Sequence, residues 1–222
     1  MIYVLGLLAR AGHGKTTVAR HLVGTRGAEV RSLAGPMKRA AKRVFDFSDE
    51  QVWGSQAAKE AIDPRYGFSP RWLLQRLGSE GLRDEFGEDI HLEALLRGLR
   101  REEAARPPGE PGPLYVVDDL RYPNDARFIA EGGTDFRGAV LKLVSLDAPA
   151  PGGPVHGSEN GLEEVRPGDI GGTVTSSRAR GLAHLLGAVD AALLGPGFDA
   201  VRPGLDRRTA HPRQPITVPT KP

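Results

Sequence analysis

Ile2-Tyr3-Val4-Leu5-Gly6-Leu7-Leu8, running on into Ala9-Arg10-Ala11-Gly12-His13-Gly14-Lys15-Thr16-Thr17, is the stretch on which the fold turns. Residues 2–8 are apolar, too short to span a membrane and rich in strand-favouring types. Two glycines, a lysine and a threonine follow, and then a helical pattern: strand, phosphate-binding loop, helix. Gly12 and Gly14 can take positive φ with no side chain in the way, so successive backbone N–H groups can turn inward around a polyphosphate. Lys15 falls at the helix start, where the dipole already favours an anion. Thr16 offers a hydroxyl to a magnesium ion. Ala11, Gly12, His13, Gly14, Lys15, Thr16 and Thr17 are therefore the expected phosphate-binding residues. Ala9 stands where G-x-x-x-x-G-K-[ST] has its first glycine, the place where crowding in the turn is least demanding. The competing reading is a chance Gly-Lys-Thr among 29 glycines; the strand before it and the amphipathic helix after it weigh against that.

At 222 residues the chain is long enough for one domain with appendages. No stretch reaches the roughly 18 consecutive apolar residues of a membrane span, and residues 2–8 lack the basic flank and cleavage site of a signal peptide. The absence of cysteine excludes disulfides and thiolate metal sites and fits a cytoplasmic protein. Net charge is +2, but Arg202, Arg207, Arg208, Arg213 and Lys221 against Asp199 and Asp206 give residues 196–222 a surplus of their own, leaving the remainder slightly acidic. A nucleic-acid-binding surface is not indicated.

Downstream of the loop, Thr17–Val23 reads as helix with Val18, Leu22 and Val23 toward a sheet, and Glu29–Leu33 as a second strand. Gly35-Pro36 opens a helix whose inner face is Met37, Ala40, Ala41, Val44 and Phe45. Its basic residues form a solvated face, with Lys38 the one placed to enter a cleft. Ser69-Pro70 caps another helix, with Trp72, Leu73 and Leu77 inward. Arg71, Gln75, Ser79 and Arg83 recur every four residues along one drifting stripe. Such a stripe suits a phosphorylated acceptor, since guanidinium forks grip phosphate and an amide can read a base edge. Surface pairing of Arg76 with Glu80, and of Glu80 with Arg83, is the equally weighted alternative. Gly78, mid-helix, implies close approach by another backbone or a ligand.

A helix over 89–105 and a proline-rich surface loop lead to a strand, Leu114–Val117, ending in Asp118-Asp119. A carboxylate at the carboxyl end of a parallel strand faces the cleft of an open α/β sheet, where it can hold magnesium. Asp119 is chosen over Asp118, with Arg121 reaching phosphate; a helix cap is the competing role. Pro123–Ala130 is a helix stopped by Gly132-Gly133, residues 139–146 and 170–174 are strands, and 176–194 is a helix with Leu182, Leu185, Leu186, Val189 and Leu193 as its stripe. Residues 195–222, proline-rich and without periodicity, read as a disordered tail.

In order, these segments resemble the deoxynucleoside monophosphate kinases of the bacteriophage type, within the P-loop nucleoside monophosphate kinase group. The resemblance runs through Gly6–Thr17, Leu33–Lys38, the PRW-x-x-Q-x-x-G-x-E-x-x-R run of Pro70–Arg83, the D-x-R-[FY]-P-N run of Asp119–Asn124, Gly132-Gly133 and the H-x-S-E of His156–Glu159, covering roughly residues 1–194. It implies a three-layer α/β domain with a mainly parallel sheet, and transfer of the γ-phosphoryl group of ATP to a deoxynucleoside monophosphate with Mg2+. Lys15, Arg121 and Asp119 would be catalytic, Thr16 and Asp119 would hold the metal, and Lys38, Arg71, Gln75, Glu80 and Arg83 would bind the acceptor. Asp125 departs from the family's more usual glutamate. No arginine-rich lid is identifiable, with Arg137, Arg166, Arg178 and Arg180 as candidates. ATP and the monophosphate are the expected partners, with no nucleic acid or membrane, and a homodimer is left open. A kinase for another small acceptor such as dephospho-coenzyme A, or a non-catalytic nucleotide-binding protein, is the alternative.

Overall fold

A computed structural model describes residues 1–10, 12–147 and 161–206. Ala11, the His156–Glu159 motif and residues 207–222 lie outside the described residues. The chain divides into two compact units, Met1–Arg31 with Arg100 onward, and Ser32–Leu99.

The first unit is built on a five-stranded sheet: β1 (Ile2–Leu8), β2 (Glu29–Arg31), β3 (Leu114–Leu120), β4 (Phe136–Ser145) and β5 (Gly172–Ser176). Its order is β2-β3-β1-β4-β5 and every adjacent pair is parallel. β1 is thus central, which explains an apolar run without alternation: a parallel strand covered on both faces is buried on both. Leu5 and Leu7 face helix α1 (Lys15–Arg26) and, across β4, a helix spanning Gly181–Leu193; with Leu114, Val116, Leu141 and Val189 they form one core layer. The opposite face takes a helix over Pro123–Glu131. There a Cβ on Gly138 would overlap the carbonyl oxygen of Ile129, and one on Gly6 would lie 3.2 Å from Ile129 Cδ1. Glycine in two neighbouring strands lets that helix settle onto the sheet. The result is the three-layer α/β arrangement expected.

The second unit is helical: α2 (Gly35–Phe45), α3 (Asp49–Trp53), α4 (Gln56–Glu60), α5 (Pro70–Arg76), a π-helical segment Leu77–Arg83, α6 (Asp84–Phe86) and the start of α7 (Ile90–Ala104). Ala41, Phe47, Val52 and Leu73 make its core, joined by Phe45, Phe68, Leu74 and Leu77. Asp63, only 3% exposed, anchors the 63–68 loop. Its carboxylate accepts from Arg65 Nε and Nη2 (3.0 and 2.8 Å) and from Gln51 Nε2 (2.8 Å). In the first unit α8 is the Pro123–Glu131 helix, α9 the Gly181–Leu193 helix, and α10 a short helix, Arg202–Leu205.

Several sequence expectations are corrected. Val23, Val44 and Leu182, assigned to inner faces, are 44%, 72% and 57% exposed, and Trp72 is 47% exposed. Ala40 is exposed as well. Each lies at the margin of its helix's apolar stripe, where 100° per residue carries it past the contact. The second strand stops at Arg31. The tail begins later than expected: Pro196–Val201 is a 3-10 helix followed by α10, and Phe198, Val201 and Leu205 are at most 1% exposed in the core. Gly197 meets Gly171 backbone to backbone, an approach open only to glycine. Arg202 then closes the end of α9, its guanidinium donating to the carbonyls of Leu193, Leu194 and Gly195 at 2.6–3.0 Å.

Candidate active site

Leu8 delivers the chain from the carboxyl end of β1 into the glycine loop. Gly12 (φ +79°) and Gly14 (φ +90°) both adopt left-handed conformations, the backbone that only glycine takes without strain. Gly14 also has Leu185 of α9 3.3 Å from where a Cβ would stand. Its carbonyl starts α1, accepting from Val18 N–H at 2.9 Å. Lys15 folds back beneath the loop, its ammonium donating to the carbonyls of Ala9 and, at 3.2 Å, Arg10. The cation is thereby held at the loop's inner side, where an anion would meet it together with the α1 N-terminus. Thr16, exposed in the first turn of α1, and half-buried Thr17 complete the predicted stretch.

His13 contributes more than the backbone group the sequence assigned to it. Its Nδ1 accepts from Ser145 N–H at 3.1 Å, tying the loop to the end of β4. Burial pushes the imidazole below its ordinary pKa; the Leu143 backbone opposes this, and the charges of Lys15 and Arg10 add to it. The ring is therefore a neutral acceptor carrying its proton on Nε2. Arg10 pairs with Glu163, a second tie to the loop. Nothing in the sequence marks either contact, because their partners stand more than 130 positions away.

β3 reaches the loop end of the sheet through an irregularity. Gly6 is in register with Val117 but Leu8 with Leu120, so Asp118 and Asp119 together oppose the single residue Leu7. This bulge reverses the strand's alternation. Leu114 and Val116 face α1, whereas Leu120 lies with Gly6 on the α8 side. Asp118 precedes the slip and Asp119 follows it, and both consequently face the α1 side. The sequence-level choice of Asp119 is therefore joined by Asp118. Arg121 comes next, its side chain exposed. Asp125, 3% exposed, accepts from the N–H groups of Arg121 and Tyr122 at 2.9 and 3.0 Å. Asp125 thereby caps the start of α8 and fixes the turn presenting Arg121.

These groups suit a magnesium ion. Among the described residues no three His, Asp or Glu side chains cluster as an all-protein metal site. Mg2+ needs no such cage: one or two hard oxygen ligands suffice when phosphate and water supply the rest. Thr16 and the Asp118-Asp119 pair offer that kind of donor.

Of the lid candidates, Arg137 is in register with Tyr3, at the end of the sheet away from the loop, and its guanidinium donates to backbone carbonyls there, so it is excluded. Arg178 and Arg180 follow the carboxyl end of β5, where Ser176 is in register with Ser145. Arg166 is exposed.

In the second unit Lys38 is half-buried in the first turn of α2. Arg71 donates to Gln56 Oε1 at 2.8 Å, and Arg83 to the Glu88 carbonyl at 2.9 Å. Arg76 pairs with Glu80, realising half of the surface pairing weighed for this helix. Gln75 is half-buried. The close neighbour of Gly78 is the Met37 side chain, with Sδ 3.2 Å from a built Cβ, rather than another backbone.

The sheet order and the loop geometry define an α/β protein with its glycine loop between the central strand and the first helix. The chain belongs to the deoxynucleotide monophosphate kinase family: over 172 residues it is 33% identical to a protein of Acanthamoeba polyphaga mimivirus provisionally named deoxynucleotide monophosphate kinase, spanning 75% of this chain and 86% of that one. No family model matches. Two solved structures superpose over most of the chain. One is a protein of Thermus thermophilus, with TM-score 0.43, 16% identity and coverage of 87% of this chain and 96% of that one. The other is an unliganded sugar kinase of Janibacter sp. HTCC2649, with TM-score 0.40, 14% identity and coverage of 92% and 98%. With scores below 0.5, neither adds to the reading. Among the described residues no single helix is long and apolar enough to cross a membrane.

Proposed function

We propose that the protein transfers the γ-phosphoryl group of ATP to the 5′-phosphate of a deoxynucleoside monophosphate, releasing ADP and the diphosphate, with Mg2+ as cofactor. The observation that carries this reading is the loop itself: two left-handed glycines at 12 and 14 with the Lys15 ammonium drawn in beneath them. Such a loop, in a member of this family, accounts for a nucleotide donor.

The chemistry asks for positioning and charge more than for covalent help. Loop N–H groups and the α1 N-terminus receive the outer phosphates, and Lys15 moves from the Ala9 and Arg10 carbonyls onto their oxygens. Thr16 with Asp119 or Asp118 would hold the metal, which when bound neutralises charge on the transferring group. Arg121 is aimed by the Asp125-capped turn and adds a fork for the equatorial oxygens. Lys38, Arg71, Gln75 and Arg83 supply the acceptor side, with the arginines on its phosphate and Gln75 toward its base. Both substrates are free nucleotides, so the proposed place of action is the cytoplasm and no nucleic acid is needed.

The test is an assay of purified protein with ATP, magnesium and a panel of deoxynucleoside and nucleoside monophosphates, with dephospho-coenzyme A as control. Diphosphate from at least one deoxynucleotide is expected. Turnover of dephospho-coenzyme A alone, or ATP binding without turnover of any acceptor, would replace this reading.

A further inference from the structure

The helix carrying the proposed acceptor residues is not α-helical throughout. Residues Leu77–Arg83 form a π-helical segment between α5 and α6, and Asp84 N–H bonds back five residues to Ser79. Such segments are rare and insert one residue into a helix.

The insertion decides where Arg83 points. In an unbroken α-helix a spacing of four advances by about 40° each time, which would carry Arg83 about 120° around the axis from Arg71. The wider turns advance by roughly 80° per residue, which returns Arg83 to within about 30° of Arg71. The four-residue stripe of Arg71, Gln75, Ser79 and Arg83 is thus one face only because of the π segment. The same rotation leaves Glu80 beside Arg76, the pair observed.

Two contacts hold the segment. His91, from the first turn of α7, places Nε2 2.9 Å from the Gly78 carbonyl, and the ring nitrogen must donate because the carbonyl can only accept. Met37 of α2 packs where a Cβ on Gly78 would stand, with Sδ at 3.2 Å and Cε at 3.4 Å. The hydrogen bond offers this carbonyl a partner off the helix axis, where the change in pitch disturbs the regular ladder. His91 lies on a different helix from the stripe.

We infer that His91 is a positioning residue for the acceptor: by donating to the Gly78 carbonyl it maintains the π segment that keeps Arg83 on the face of Arg71 and Gln75. This rests on the proposed function, and it adds a determinant of acceptor affinity that the motif residues do not contain.

The test uses His91→Leu, which keeps volume and loses the donor, and His91→Gln, whose amide can restore it. KM for the best deoxynucleoside monophosphate and for ATP is measured alongside the melting temperature. His91→Leu is expected to raise acceptor KM about tenfold, the loss of roughly 1.4 kcal/mol, with ATP KM within twofold of wild type. His91→Gln should recover most of the loss, and adding Arg83→Ala to His91→Leu should cost much less than adding it to wild type. Unchanged acceptor KM in folded His91→Leu, or equal rises for both substrates, overturns the inference. Should His91→Leu be too unstable to assay, His91→Gln decides: acceptor KM within threefold of wild type supports the assignment, and a tenfold rise overturns it. Wild-type protein that phosphorylates no monophosphate removes the proposed function, and this inference with it; active wild-type protein with an indifferent His91→Leu variant removes the inference alone.

Discussion

The backbone N–H of Ser145 donates to Nδ1 of His13 across 3.1 Å, so the last residue of β4 grips a side chain of the glycine loop. Replacing His13 with alanine frees that loop from the strand beside it. Losing one neutral hydrogen bond of about 1 kcal/mol corresponds to about a fivefold rise in KM for ATP. His13→Asn, which keeps an acceptor, should show a smaller rise. Because burial holds this imidazole below its ordinary value of 6.5, the folded state resists protonation. The tie is fully present above about pH 6.5 and is lost as pH falls through the folded value. KM for ATP should therefore rise on acidification in wild type and stay flatter in His13→Asn.

Lys15→Ala removes the cation from beneath the loop while leaving the glycines and the α1 N-terminus in place. Turnover should fall by about 100-fold or more, with circular dichroism and melting temperature close to wild type. A variant that keeps its rate would detach Lys15 from phosphate chemistry.

Gly138 lies under α8, where an added Cβ collides with the Ile129 carbonyl. A backbone atom cannot step aside as a side-chain tip can. Gly138→Ala is expected to cost about 2 kcal/mol, seen as a melting point lower by roughly 4–8 °C.

Phe198→Ala tests the C-terminal segment. If residues 196–205 belong to the core, deleting a ring that is 1% exposed should cost about 3–5 kcal/mol in a denaturant titration. A change within about 0.5 kcal/mol would return the segment to the surface.

Asp63 supplies a prediction in the acid range. The Arg65 guanidinium first, and Gln51 second, hold its carboxyl well below the usual 3.8. A carboxylate depressed in the folded state contributes stability that is complete above the unfolded value and lost as pH falls through the folded one. Denaturation midpoints followed from about pH 6 to about pH 2 should fall less steeply in Asp63→Asn than in wild type, and equal slopes would count against this network.

Local chemistry was legible in the sequence wherever neighbours along the chain settle the matter. The first strand, the left-handed glycines and the Ser69-Pro70 cap all follow from spacing and residue type. What escaped depends on partners far along the chain or on helical pitch. Pairing of His13 with Ser145, and of Arg10 with Glu163, has no local signature. Neither does the bulge that turns Asp118 and Asp119 to one side. The π segment was hidden because a four-residue spacing passes for an α-helical stripe. The C-terminal segment did carry a sign: Phe198, Val201 and Leu205 stand at i, i+3 and i+7, with prolines opening both short helices. Its prolines and glycines masked that pattern.

The central place of β1 bears on how the molecule is made. Tyr3 is in register with Leu114 and Ile2 with Phe136, so β1 has no hydrogen-bonding partner in the sheet until β3 and β4, far along the chain, have been made. Loop closure over such separations is slow, whereas Ser32–Leu99 is complete in sequence well before β3 exists. The glycine loop hangs from β1, and it can reach its final shape only once strands far beyond it in the chain are in place.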